Sequence, residues 1–450
     1  MLQLLTILAG LATVLLTSAM PLTIPLGTSG QSFSISEDGQ SITLNGKTIN
    51  VRQAMNSGNA CTPKQAGHGK KNPKGKGQGQ ATASANAKAV YFITNAASNS
   101  IVALKVAADG TLSDGSITST GGAGMSGVDD KGSPAVPDSL FSQGAVKVAG
   151  NHIVAVNPGS NTISMFSISA TDPTVLTMVG KPANTLGEFP VSVALSASLS
   201  QACVANSGAK AGVACFAMSS KDGLTPLDTC LRPFELNQTT PPVGPLNTVS
   251  QTFFNSDSTM LITTVKGDPT KNNTGFLSVF PVENKVVSKT ETRSSPAGTA
   301  VLFGTALLPN SSDLFVTDAS FGAATLSLSS ANIASTLAST KIADQKATCW
   351  AAFSELTGTA FVTDVAVNHL VEIDPASGSI VKDLTSTNGN PGLIDLASAG
   401  KFVYALSPGN ATVGGAVTVF DVSGGKGTAK EIQNFGLTGV TASAMGMTFI

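Results

Sequence analysis

Three side chains could do chemistry together: Glu188 in LGEFPV, Arg232 in CLRPFELNQ and Arg293 in ETRSSPAGT. The chain holds three arginines, the other being Arg52. A guanidinium grips a carboxylate through two parallel N–H bonds. Two such clamps beside one glutamate would hold a carboxylate-bearing molecule and move a proton at the reacting carbon. The histidines offer less, because His68, His152 and His369 are scattered and no His/Asp/Glu cluster has metal-ligand spacing. A G-x-S-x-G nucleophile turn is also missing. The glycines of KGKGQGQ follow no strand and open no helix, so they do not form a phosphate loop. No cofactor is expected.

The elements that must position these residues repeat along the chain. YFITNAASNSIVALKV from Tyr91 has counterparts starting at Ile153, Ala202, Leu261, Leu314, Phe361 and Phe402. Each alternates apolar and polar residues, breaks at a small polar cluster and alternates again, which reads as strand, turn, strand. Asn95, Asn157, Asn206, Asp318 and Asp364 close the first of these strands, as turn formers that accept from nearby amides. His369 falls at a hairpin tip and is expected to be a turn residue. Short strands of small residues, such as PVSVALSAS from Pro190, precede most copies and suit the crowded inside of a ring. About four strands per roughly 45 to 60 residues means a propeller. The chain ends on VTASAMGMTFI, an inner strand with no hairpin after it, while the hairpin at Tyr91 has none before it. The fold class is therefore all-β: a seven-bladed β-propeller over residues 88–450, closed by its C-terminal strand. In such blades the blade-joining loops share one face with the turns between second and third strands. Glu188, Arg232 and Arg293 lie in blade-joining loops, whereas His152 belongs to the opposite face.

The N-terminal part differs. MLQLLTILAGLATVLLTSAM has an apolar run followed by small residues and Pro21, a secretory signal over residues 1–19. Residues 20–60 read as short strands with an Asn45-Gly46 turn, and 61–87 as a Lys/Gly-rich linker. No later run is long and apolar enough for a transmembrane anchor. Sequons at Asn237, Asn272, Asn310 and Asn410 agree with export. Cys61, Cys203, Cys215, Cys230 and Cys349 lack C-x-x-C spacing, and Cys203 with Cys215, flanking one hairpin, is the expected disulfide. The net charge of −1 divides unevenly: residues 1–87 hold seven basic and two acidic residues, and the remainder 19 and 25. A nucleic-acid surface on the propeller is thereby disfavoured.

With the blades placed, residues 88–450 resemble the lactonase-like seven-bladed propellers, and among them secreted fungal proteins similar to 3-carboxymuconate cyclase. The likeness rests on VNPGSNTISMFSI-type hairpins, on GEFPVSVA at 187–194 and on PGLIDLASAGKFVYALSPGN at 391–410. It implies either a cycloisomerase or lactonase acting on a carboxylate-bearing substrate, or an extracellular, cell-surface binding protein. Where relatives carry a P-R-H-type motif at a blade junction, this chain has Pro190, Val191 and Ser192. Lacking that arginine and histidine, it is expected to bind a small carboxylate ligand or an extracellular or cell-wall surface, as a secreted monomer.

Overall fold

Every hairpin read from the sequence folds as the middle of an antiparallel blade, four-stranded in four blades and five-stranded in the second, third and fourth. The second and third strands are Ala89–Ile93 with Ser100–Val106, His152–Asn157 with Thr162–Ile168, Gln201–Asn206 with Gly212–Ser219, Met260–Val265 with Phe276–Glu283, Leu314–Asp318 with Gly322–Leu328, Thr359–Asp364 with His369–Asp374, and Phe402–Ser407 with Ala416–Asp421. They belong to blades 1 to 7 in that order. The structure is a computed structural model describing residues 23–26, 31–35, 41–44, 47–50, 85–410 and 412–450.

Position within a blade decides composition. Inner strands such as Val249–Phe254 are buried at every residue, so they take small or apolar side chains. Outer strands such as Lys430–Gly436 alternate between exposed and half-covered positions, one face meeting water. Between blades the large side chains fill the gaps: Tyr91, Phe166, Phe216, Phe280, Phe315, Trp350 and Tyr404 are all fully buried. Burial of each contributes roughly 2 to 3 kcal/mol. Tyr91 also ties blade 1 to blade 2, its hydroxyl donating to the Pro173 carbonyl at 2.6 Å.

The C-terminal strand Met445–Phe449 is the inner strand of blade 1, pairing Met445 with Ile93, Thr448 with Tyr91 and Phe449 with Val90. The ring therefore closes between the two ends of the propeller chain and has no open inner edge at that junction. Asn95, Asp318 and Asp364, which end second strands, fasten the blade-joining segments, whereas the Asn157 and Asn206 amides donate within their own hairpins. Asp364 accepts from the amides of Lys346, Ala347, Ala366 and Val367 at 2.8 to 3.1 Å. Asp318 does the same for Ala300, Val301 and Ser320. Blades 4 and 7 depart from the pattern, with Val265 and Ser407 at this position, and in blade 4 Lys266 follows Val265.

Cys203 and Cys215 face each other across the blade 3 hairpin and are joined in a disulfide. Cys230 is also disulfide-bonded, and Cys349 is a buried free thiol. Thr23–Leu26, Gln31–Ile35, Ser41–Leu44 and Lys47–Asn50 form an antiparallel sheet in chain order. Leu44 pairs with Lys47, and the Asn45-Gly46 turn lies outside the described residues. So do the signal segment, Cys61 and the linker up to residue 84. The chain divides into two compact units between Asn72 and Pro73.

Candidate functional site at the propeller axis

The three residues singled out from the sequence are not brought together, and each has its own partners. Arg232 is the clearest correction. Its guanidinium is buried between blades 3 and 4, where Nη1 donates to Asp228 at 2.5 Å, Nε to the Ser288 carbonyl at 2.6 Å and Nη2 to the Val287 carbonyl at 2.8 Å. Asp228 also takes the Lys289 ammonium. With all three nitrogens engaged and the side chain 4% exposed, Arg232 joins two blades and is closed to a ligand.

Arg293 lies on the short outer strand Thr292–Ser294 of blade 4, paired with Glu291 and stacked 3.8 Å over the Phe276 ring. Glu188 remains on the blade-joining face, accepting from Thr240 Oγ1 at 2.7 Å and facing Lys210 Nζ at 3.3 Å. Those two partners, the Thr240 hydroxyl first, hold its carboxyl below the usual range. An acid so held stays ionised near neutrality and is poorly matched to proton shuttling there.

Two histidine readings meet different outcomes. His152 opens the second strand of blade 2, on the side opposite the blade-joining loops, and burial lowers its pKa. His369 is not a turn residue: it is the first residue of a strand, opposite Thr385, and is buried with Nδ1 2.9 Å from Asp383. The turn ends one residue earlier than the alternation suggests.

The centre of the molecule is occupied by a segment the sequence reading passed over. The connection from blade 1 to blade 2 sends residues 138–144, DSLFSQG, across the axis. There the segment bonds to four other blades. Ser142 Oγ donates to the Val191 carbonyl at 2.9 Å and Ser192 Oγ to the Gln143 carbonyl at 2.8 Å, in blade 3. The Gln143 amide donates to the Ser250 carbonyl of blade 4 at 3.0 Å. In blade 6, Trp350 Nε1 donates to the Ser142 carbonyl at 3.0 Å, while the Gln143 side chain donates to the Ala351 carbonyl at 2.8 Å and accepts from its amide at 3.0 Å. In blade 7, Asp395 accepts from the Gly144 amide at 3.3 Å. The segment is a hub. Space for it depends on small neighbours: a Cβ on Gly304 would stand 2.0 Å from Gln143 Oε1, and one on Gly144 3.1 Å from Ser192 Oγ.

Gln143 carries two of these bonds, so Gln143→Ala leaves the Ala351 N–H and C=O without partners in the interior. An unmade buried bond costs about 1 to 3 kcal/mol, and water entering the vacated space recovers part of it. We expect a loss of about 2 kcal/mol in chemical denaturation. An unchanged midpoint would show that the hub does not hold the ring.

Around the hub lie the ionisable groups that geometry selects and sequence did not. Lys266 reaches inward from blade 4, its Nζ donating to the Phe141 carbonyl at 2.6 Å and Ser250 Oγ at 2.9 Å, with the Val249 carbonyl at 3.4 Å and the Phe303 ring 4.4 Å beneath. Burial brings its ammonium down to about 7, against the opposing charge of Asp138. Burial likewise pushes the Asp138 carboxyl up to about 7, with Lys266 pulling the other way, and among the described residues the buried Asp138 Oδ1 finds no hydrogen-bond partner. Asp395 is also raised to about 7 by burial, countered by Lys147. Burial raises the Cys349 thiol well above its usual value, followed by the charge of Asp138, so it stays protonated. Chemically this is a buried acid–base cluster in which burial opposes the charged forms of Asp138, Asp395 and Lys266 alike. One sequence signal could have found it: blade 4 is a copy that departs from the Asn/Asp ending, and its lysine turns to the axis.

The arrangement of blades around this axis matches solved structures. The periplasmic gluconolactonase of Pseudomonas aeruginosa superimposes with a TM-score of 0.58 at 15% identity, over 80% of this chain and 99% of that one. The fold is that of a lactonase-type propeller. A candidate 6-phosphogluconolactonase from Bacteroides uniformis (TM-score 0.49, 16% identity, 62% of this chain and 80% of that one) and AztD from Citrobacter koseri (0.43, 10%, 81% and 98%) also align. No family model and no curated protein sequence matches the chain. At these identities the likeness concerns the fold alone. Within this lactonase-type propeller the sequon residues Asn237, Asn272, Asn310 and Asn410 are all exposed.

Proposed function

We propose that the chain is a secreted, N-glycosylated binding propeller that keeps the lactonase-type fold without lactonase or cycloisomerase turnover. The occupied axis carries this reading. A lactone or muconate entering from the blade-joining face meets residues 138–144 where a substrate would need to sit, and Ser192 holds their Gln143 carbonyl. Ser192 stands where the P-R-H-type motif of the resembled proteins places its histidine, and its hydroxyl lies close to Gly144, where an added Cβ would stand 3.1 Å away. The site and its blocker exclude each other. Arg232, which would clamp a carboxylate, is committed to Asp228. Exposure of all four sequon asparagines and a disulfide at Cys203–Cys215 support a glycoprotein of an oxidising compartment. The resemblance to secreted 3-carboxymuconate cyclase-like proteins supports an extracellular or cell-wall surface as the partner.

The experiment is a paired assay on protein secreted from a eukaryotic host. Muconate, muconolactone and sugar lactones are expected to decay no faster than in buffer, while the protein co-sediments with insoluble wall glucan. Catalysed turnover of any of these compounds would overturn the reading in favour of an extracellular lactonase or cycloisomerase.

A further inference from the structure

The outer strand of blade 2 is broken, and the break makes a cleft against blade 3. The strand runs Leu176–Met178, stops, and resumes as Ala183–Asn184 on the same third strand, Thr162–Ile168. The Asp222–Gly223 turn of blade 3 presses into the gap: a Cβ on Gly180 would stand 2.6 Å from the Asp222 carbonyl oxygen, and one on Gly223 2.4 Å from that of Val179. Both glycines hold positive φ, 73° and 79°, where any other side chain is strained. Pro182 has no N–H to give the ladder, so the chain stays apart until Ala183. Between this detour and the outer strand Gly223–Pro226 of blade 3 lies an open cavity of about 450 Å³. That size suits a small organic molecule. Pro182, Leu186, Leu224 and Pro226 supply its apolar wall. Lys181, Asn184 and Asp222 supply its polar groups, and all three are exposed.

The charges in this cleft are uncommitted. Among the described residues neither Lys181 nor Asp222 enters a salt bridge, although both line the cavity. Asp222 Oδ2 accepts from the Ser219 hydroxyl at 3.1 Å, which leaves Oδ1 open. Asn184 Oδ1 accepts from the Leu186 amide at 2.9 Å, which leaves Nδ2 to donate. The ammonium and the amide N–H are donors for a carboxylate, and the Asp222 carboxylate is an acceptor for an ammonium. A ligand of one charge would meet the group of like sign, whereas a zwitterion satisfies both. We infer that this cleft binds a free amino acid with an aliphatic side chain. Its carboxylate lies at Lys181 and Asn184, its ammonium at Asp222 and its side chain against Leu186 and Leu224. This site is separate from wall binding and does not depend on it.

Titration with L-leucine, followed by ligand-observed NMR, tests the site. The wild type is expected to bind it saturably. Isocaproate, which lacks the ammonium, and isoamylamine, which lacks the carboxylate, should each bind about fivefold more weakly, the worth of one partly exposed ion pair. Lys181→Met should weaken leucine by the same factor without weakening isoamylamine, and Asp222→Asn should weaken leucine without weakening isocaproate. Both positions are exposed, so the variants are expected to fold. Loss of affinity in this crossed pattern supports the site. Three results overturn it: no saturable binding of leucine up to its solubility limit, a leucine affinity that either variant leaves unmoved, or uncharged N-acetyl-leucine amide binding as tightly as leucine.

Discussion

Deleting residues 440–450 is expected to abolish secretion of folded protein. The deletion removes Met445 and Met447, both almost wholly buried, and strips the inner partner from Ala89–Ile93. It also removes the Lys88 amide bond to the Ile450 carbonyl at 2.6 Å and the acceptor that Ser139 finds in the Ser443 carbonyl at 2.8 Å. Each large buried side chain lost costs about 2 to 5 kcal/mol. Domains have only about 5 to 15 kcal/mol in total, so the sum exhausts the reserve. The exposed edge would then favour aggregation over secretion. Secreted yield and melting temperature measure the effect. A truncated protein secreted at full yield with an unchanged melting temperature would sink the closure model.

The second large effect lies at Arg232. Replacing it with Ala leaves Asp228 buried with only the partly exposed Lys289 for charge, and leaves the Val287 and Ser288 carbonyls without their donor. Breaking a buried ion pair from one side costs about 3 to 5 kcal/mol. Urea unfolding should register that loss. Arg293→Ala, on a partly exposed pair, should move stability by about 1 kcal/mol. If Arg232→Ala abolishes ligand binding at unchanged stability, the guanidinium serves a ligand after all.

The fold was legible because a propeller repeats its signal. Seven copies of one alternating hairpin, with an orphan strand at each end, leave little choice about closure, and even Asn95 and Asp364 behave as sequence suggests. The axis was not legible. An arginine in a loop looks the same whether it faces water or Asp228, since the partner that decides is supplied by the fold, here four residues upstream. The hub was missed for a related reason: DSLFSQG has neither period nor charge pattern, and its bonds reach residues as far as 304 positions away. His369 was misplaced by where the turn ends, a boundary that alternation fixes only to within a residue or two.

The hub also bears on how this propeller can change over evolutionary time. Propellers diversify by duplicating or losing a blade, because each blade needs only its two neighbours. Here one peptide measures across the ring, from blade 2 to Trp350 and Ala351 in blade 6 and Asp395 in blade 7. An inserted blade would widen the ring and pull those partners out of reach; a deleted one would crush them together. Residues 138–144 thus act as a gauge of circumference, fixing the blade number at seven for as long as the segment persists.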